Sequence, residues 1–167
     1  MRLIGLDPGL RKTGWGIVDF DGIRLGYVAC GVISTSASMI MAGRLAILYG
    51  GLAEVIEMWH PTLAAVEETF VNKNATSTLK LGQARGVVLL APAIAGLDVA
   101  EYHNRIVKRS VVGTGSATKQ QIQMMVRHLL PSAAPQSADA ADALAVAICH
   151  AHHSFGGVQR AVGGVSE

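Results

Sequence analysis

Leu3-Ile4-Gly5-Leu6-Asp7-Pro8-Gly9, close to the amino terminus, decides how the rest of the chain is read. Leu3 to Leu6 is an apolar run closed by turn residues, the pattern of a strand buried on both faces of a sheet. The two-residue period of a strand puts Leu3, Gly5 and Asp7 on one face and Ile4 and Leu6 on the other. Asp7 therefore continues a core-facing row, where a carboxylate has to be paired or bound to a metal. The nearest bases are Arg11 and Lys12 in the following loop. A plainer reading, an Asp that caps the Pro-Gly turn, stays open while this stretch is taken alone.

Two further stretches place carboxylates in the same way. Leu63-Ala64-Ala65-Val66-Glu67 repeats the design of the first strand, with Leu63, Ala65 and Glu67 on one face. Asp139-Ala-Ala-Asp142 opens an Ala-rich helix, and residues three apart share a helix face, at roughly 5 to 6 Å between Cβ atoms. One of the two acids could be a helix cap, but the rest of that face is Ala143, Val146 and Ala147, turned toward the core. Asp7, Glu67, Asp139 and Asp142 brought together would repel and raise each other's pKa values unless a divalent cation neutralised them. Oxygen ligands select Mg²⁺ or Mn²⁺ over zinc, and no Cys/His set competes. Two such ions roughly 4 Å apart can activate a water and stabilise the leaving oxygen of a phosphodiester.

The remaining elements fall around these. Thr13 to Phe20 reads as a second strand, Asp21-Gly22 as a hairpin turn, and Ile23 to Ile33 as a third strand with Leu25, Tyr27, Ala29 and Gly31 on one face, so strands one to three form an antiparallel meander. A helix follows the polar break Ser34 to Ser38, carries Leu45, Leu48, Leu52, Val55, Ile56 and Trp59, and stops before His60-Pro61. Phe70 to Thr78 is a polar loop, followed by helices over Ser77 to Ala95, His103 to Val112, Ala117 to Leu130 (capped by Ser116) and Ala138 to His153, with a short strand over Leu97 to Glu101. The result is an α/β domain over residues 1–153, a five-stranded mixed sheet flanked by helices, with residues 154–167 as a flexible, glycine-containing tail.

Composition narrows the function classes. The 167 residues are 50% hydrophobic and 16% charged, which suits one globular domain and excludes a disordered chain. The longest apolar stretches fall short of the roughly 20 residues a membrane span needs, and Asp7 interrupts any secretory signal. Cys30 and Cys149 lack metal-type spacing and suit free thiols in a reducing cytoplasm. The formal net charge is only +2, yet between Thr69 and Ala138 eight bases (Lys73, Lys80, Arg85, Arg105, Lys108, Arg109, Lys119, Arg127) face two acids (Asp98, Glu101). A basic surface around an acidic pocket suits a polyanion held over a metal site. Phe70, flanked by Asn72, Lys73 and Asn74, is either a base-stacking residue among phosphate contacts or a core anchor. Gly82 and Gly86 form a side-chain-free stripe on the long middle helix, for a second copy of the chain or for the chain's own sheet.

The segments Gly5-Leu-Asp-Pro-Gly9, Val66-Glu-Glu-Thr-Phe70, Asn72-Lys-Asn74, Leu79-Lys-Leu-Gly-Gln-Ala-Arg-Gly86, Val107-Lys108, Val111-Val-Gly113, Gly115-Ser116 and Ala138-Asp-Ala-Ala-Asp-Ala-Leu144 resemble the RuvC family of bacterial Holliday-junction resolvases. The likeness runs from Leu3 to about His153. It implies a ribonuclease-H-like fold, a homodimer, and Mg²⁺-dependent symmetric cutting of four-way DNA junctions in recombination and repair, beside branch-migration helicase partners of the RuvA and RuvB type. It carries catalytic and metal-binding roles to Asp7, Glu67, Asp139 and Asp142, the place near the junction centre to Phe70, and places near the scissile phosphate to Lys108 and Lys119; Lys73, Arg85 and Arg109 join the expected DNA contacts as bases of the same positively charged middle segment. Strand register and the likeness prefer Glu67 to its neighbour Glu68, and the choice between the two stays open at this point. The rival readings are three. Asp7-x-Gly9-x-x-x-Thr13-Gly14 resembles the first phosphate loop of actin-like ATPases and sugar kinases, which pair two such halves where this chain has one. The others are a non-catalytic junction-binding module and a ribonuclease-H-like nuclease acting on structured RNA.

Overall fold

The computed structural model describes residues 1–68, 74–135 and 137–162, of which 155–162 by backbone alone. Five strands, β1 (Arg2–Asp7), β2 (Lys12–Phe20), β3 (Leu25–Ser34), β4 (Leu63–Glu68) and β5 (Asp98–His103), make one sheet in the order β3-β2-β1-β4-β5. β1, β2 and β3 are an antiparallel meander, while β4 pairs parallel with β1 and β5 parallel with β4. The helices are α1 (Met41–Trp59), α2 (Ala75–Ile94), α3 (Asn104–Val112), α4 (Lys119–Leu129) and α5 (Ala138–Val162). The expected mixed sheet flanked by helices is observed.

Alternation along β1 and β4 divides the core as the sequence pattern requires. Leu3, Leu63 and Ala65 pack with α3, α4 and α5 on one face of the sheet. Ile4, Leu6, Ala64 and Val66 pack with Leu52 and Ile56 of α1 and Val88 and Ala91 of α2 on the other. The first face is the tighter. A Cβ built on Gly5 would lie 2.2 Å from the Ala143 carbonyl oxygen and 2.4 Å from the Ala147 nitrogen, and one on Gly14 would lie 2.1 Å from the Asp139 carbonyl oxygen. Strand glycines thus let the α5 backbone rest on β1 and β2, and the alanines at 140, 141, 143, 145 and 147, all essentially buried, allow the same from the helix side.

Several boundaries depart from the sequence reading. The β2–β3 connection is longer than a two-residue hairpin: Asp21 accepts hydrogen bonds from the Ile23 and Arg24 amides, Gly22 has φ 102°, and β3 begins at Leu25. Tyr27 pairs with Val18 but Ala29 with Ile17, a bulge at Val28, so Ala29 joins the α1/α2 face and not the face of Leu25 and Tyr27. α2 starts two residues early because Asn74 caps it, accepting from the Ser77 amide at 3.0 Å. α4 is capped by Thr118 and not Ser116, in a reciprocal box with Gln121. β5 continues to His103, two residues past the expected end, and α5 runs to Val162 where the reading ended it at His153.

The close contact of α5 with β1 makes a testable difference between glycines. Gly5→Ala should destabilise the protein by about 2 kcal/mol or more in urea unfolding, since the overpacked atom is backbone and has nowhere to go. Gly50→Ala, inside α1 with nothing within 4 Å of its Cβ, should instead stabilise it by about 0.5–1 kcal/mol.

Candidate active site

The parallel register Leu6↔Val66 places Asp7 and Glu67 beside each other at the carboxyl ends of adjacent strands, which lie about 4.8 Å apart. α5, pressed onto the same face, delivers its first turn to this edge. Ser137 takes the capping role there, its hydroxyl accepting from the Ala140 amide at 3.1 Å, so neither Asp139 nor Asp142 is used as that cap. Asp7, Glu67 and Asp142 line one cleft of about 330 Å³ with Asn104, Val107 and Lys108 from α3, Lys119 and Ile122 from α4, and Ala145. Asp139 lines the neighbouring cleft with Gly9, Arg11, Lys12, Ser34 and Thr35, and its charge still acts on Asp7.

The electrostatics are those of crowded acids. Burial, and then the charges of Glu67, Asp142 and Asp139, push Asp7 up to about 8, with Lys119 opposing. Burial also raises Glu67, against the hydrogen bond from Asn104 and the charges of Lys108 and Lys119. Lys119 Nζ lies 2.9 Å from Asp142 Oδ2, and that bond raises the lysine above its usual range. Glu68 lines neither of these clefts, as the strand alternation requires, since it follows Ala64 and Val66 on the opposite face.

A hard divalent cation fits this donor set, which is carboxylate and amide oxygen with no thiolate or imidazole in the cleft. Among the described residues no group of three or more His, Cys, Asp or Glu is gathered closely enough to hold an ion.

The basic residues divide. Lys108 and Lys119 stand in the cleft wall, and Arg109 is exposed at the last turn of α3. Arg85 is otherwise engaged: it forms an ion pair with Glu101 of β5 that ties α2 to the sheet, and its Nε is buried without a partner among the described residues. The residues Phe70 and Lys73 lie outside the described residues. Asn104 was not singled out from the sequence, nor were Arg11 and Lys12 beyond their nearness to Asp7. Asn104 is recognisable only once β5 is known to end at His103.

The sheet order and the acidic cleft at the carboxyl ends of β1 and β4 define a ribonuclease-H-like domain. The model of the family described as crossover junction endodeoxyribonuclease RuvC matches residues 3–150. Crossover junction endodeoxyribonuclease RuvC of Rhodospirillum rubrum is 59% identical over 162 residues, 97% of this chain and 96% of its own length. That of Azorhizobium caulinodans is 64% identical over 153 residues, 92% of this chain and 90% of the relative. Among solved structures, T. thermophilus RuvC in complex with Holliday junction substrate superposes with a TM-score of 0.87 at 33% identity, covering 94% of this chain and 96% of that one. The yeast mitochondrial resolvase Ydc2 shares the fold, with a TM-score of 0.64 at 10% identity over 95% of this chain and 83% of that one. The chain belongs to the RuvC family.

The raised Asp7 has a consequence for stability. The folded carboxyl keeps its proton to about pH 8, whereas the unfolded one loses it near 3.8, so ionisation costs the folded state across that window. Asp7→Asn removes the cost. In metal-free buffer its melting temperature should exceed that of the wild type by a margin that is small at pH 5, grows with pH and levels off above pH 8. Mg²⁺ should narrow the margin by stabilising the wild type. A margin that does not change with pH contradicts this electrostatic picture.

Proposed function

We propose that this chain is a Mg²⁺-dependent endodeoxyribonuclease that resolves four-way DNA junctions as a homodimer in the bacterial cytoplasm, in recombination and repair and beside helicases of the RuvA and RuvB type. The observation that carries the reading is the convergence of Asp7, Glu67 and Asp142, with Asp139 adjacent, in a cleft walled by Lys108 and Lys119. When bound, one or two Mg²⁺ ions, with Mn²⁺ as a substitute, supply an activated water and charge neutralisation at the scissile phosphate. The four carboxylates hold the ions and, through the rigid β1, β4 and α5, fix where the phosphate must lie. Lys108 and Lys119 draw the phosphodiester into the acidic cleft, and Arg109 extends that contact along the strand. Lys73 is assigned to phosphate contact from its place in the polar loop beside Phe70, and Phe70 to base stacking from that loop and the family likeness. Arg85 is left out of the DNA contacts because Glu101 engages it.

Dimerisation is supported by α2. Its inner residues Ala84, Val88 and Ala91 are buried on the sheet, yet Leu79, Leu90 and Ile94 are 67%, 51% and 60% exposed, and a Cβ on Gly82 or Gly86 would meet nothing within 4 Å. The glycines therefore do not pack against their own sheet. Positions 79, 82, 86, 90 and 94 fall on one stripe of the helix, apolar or small but for the exposed Gln83 within it, that suits a two-fold copy of itself. Two related clefts match a junction from which two strands must be cut.

The direct test is a synthetic four-way junction with and without Mg²⁺ on a denaturing gel, with single-stranded and structured RNA as competing substrates. Paired nicks in the junction that require the ion are expected. Asp7→Asn, Glu67→Gln, Asp139→Asn and Asp142→Asn should each reduce cutting to background while junction binding persists, and Glu68→Gln should cut nearly as well as the wild type. An active Glu67→Gln beside an inactive Glu68→Gln would reverse the strand register.

Binding should weaken steeply with salt, and Lys108→Ala, Arg109→Ala and Lys119→Ala should each lower the slope of log affinity against log salt by about one unit or less. Gly82→Leu or Gly86→Leu should give a folded monomer by light scattering, with single nicks in place of paired ones.

A further inference from the structure

Resting on the nuclease reading above, we infer that Asn104 is a positioning residue for this reaction: its side-chain amide holds Glu67 in the orientation that the divalent ion requires. Asn104 is the first residue of α3, immediately after β5. In the parallel pairing of β4 with β5, Glu67 stands opposite Tyr102 and Glu68 opposite His103. The residue after the last pair is therefore placed to reach back over the end of β4, and Asn104 Nδ2 donates to Glu67 Oε1 at 2.5 Å. Both side chains line the acidic cleft.

The chemistry of the donor is what assigns the role. Asp142 is held by an ammonium, that of Lys119, and a divalent ion arriving there has to compete with that charge. Glu67 is held by a neutral amide. An amide satisfies one carboxylate oxygen and fixes the plane of the group, but leaves its full negative charge for a cation on the other oxygen. Outer partners of metal-binding carboxylates typically change metal affinity by about 10–100-fold when removed.

The test compares Asn104→Ala and Asn104→Asp with the wild type and with Glu67→Gln. Mn²⁺ binding to the DNA-free protein is followed by the loss of the free-ion electron paramagnetic resonance signal, cutting as a function of Mg²⁺ concentration, and junction affinity without metal. Asn104→Ala should weaken Mn²⁺ binding and raise the Mg²⁺ concentration for half-maximal cutting about 10-fold or more, with metal-free junction affinity and melting temperature nearly unchanged. Asn104→Asp keeps the shape and loses the donor, so it should fail to restore either metal parameter. A space-filling role predicts that Asp restores both.

Wild-type Mn²⁺ binding and Mg²⁺ requirement in Asn104→Ala, or their restoration in Asn104→Asp, overturns the inference. Normal cutting by Glu67→Gln in the same series would instead overturn the nuclease assignment on which it rests.

Discussion

The contact on which everything else depends is that of the α5 backbone against Gly5 and Gly14. A helix resting on a sheet normally stands off by the side chains of both layers. Here the strand glycines and the helix alanines remove both layers, and Asp139 and Asp142 are drawn down to the edge where Asp7 and Glu67 end their strands. With larger residues on either side the four carboxylates would be spread over two separate surfaces. The small-residue composition of the chain is therefore a condition of the site and not only a feature of the core.

That placement makes the cleft electrostatically costly, and the structure shows how the charges are shared out. A proton on Asp7 and the ammonium of Lys119 on Asp142 both reduce the negative charge. A cation held by these carboxylates would favour the ionised form of Asp7, and Lys119 is long enough to turn toward a phosphate. The folded chain accepts crowded acids at this edge because β1 and β4 are central in the sheet, with Leu3, Ile4, Leu6, Ala64, Ala65 and Val66 fully buried behind them. Core burial of this extent can carry a local repulsion that an isolated edge strand could not.

How much of this was legible in the sequence follows from which interactions are local. Two apolar runs, each ending in a carboxylate, and two acids three apart on a helix are period arguments, and these put Asp7, Glu67, Asp139 and Asp142 at two strand ends and a helix start, while the meeting of those ends belongs to the packing of α5 on the sheet. Strand alternation separated Glu67 from Glu68 for the same reason. The bulge at Val28 was not legible, because an extra residue in β3 shows itself only against the pairing of Ile17 and Val18. The cap of α4 was present in the chain as Thr118 and Gln121, three apart, and Ser116 was preferred only because it stood at the Gly-rich break. Arg85 reads as one more base in a basic segment until Glu101 is brought opposite it by folding. Asn104 is neither charged nor part of a periodic pattern, so its meaning lies wholly in the register of β4 with β5.

β5 joins these separate observations. At Glu101 it is tied by Arg85 to α2, whose outer stripe of Leu79, Gly82, Gly86, Leu90 and Ile94 has no cover among the described residues of its own chain. Three residues later, at Asn104, the same segment reaches Glu67 in the cleft. A helix whose inner residues bury on the sheet and whose outer residues are also apolar has two faces to satisfy, and the sheet can satisfy only one. The strand tied by an ion pair to this helix is thus also the one that delivers the cleft's amide, so β5 links the outer helix layer to the carboxylate edge.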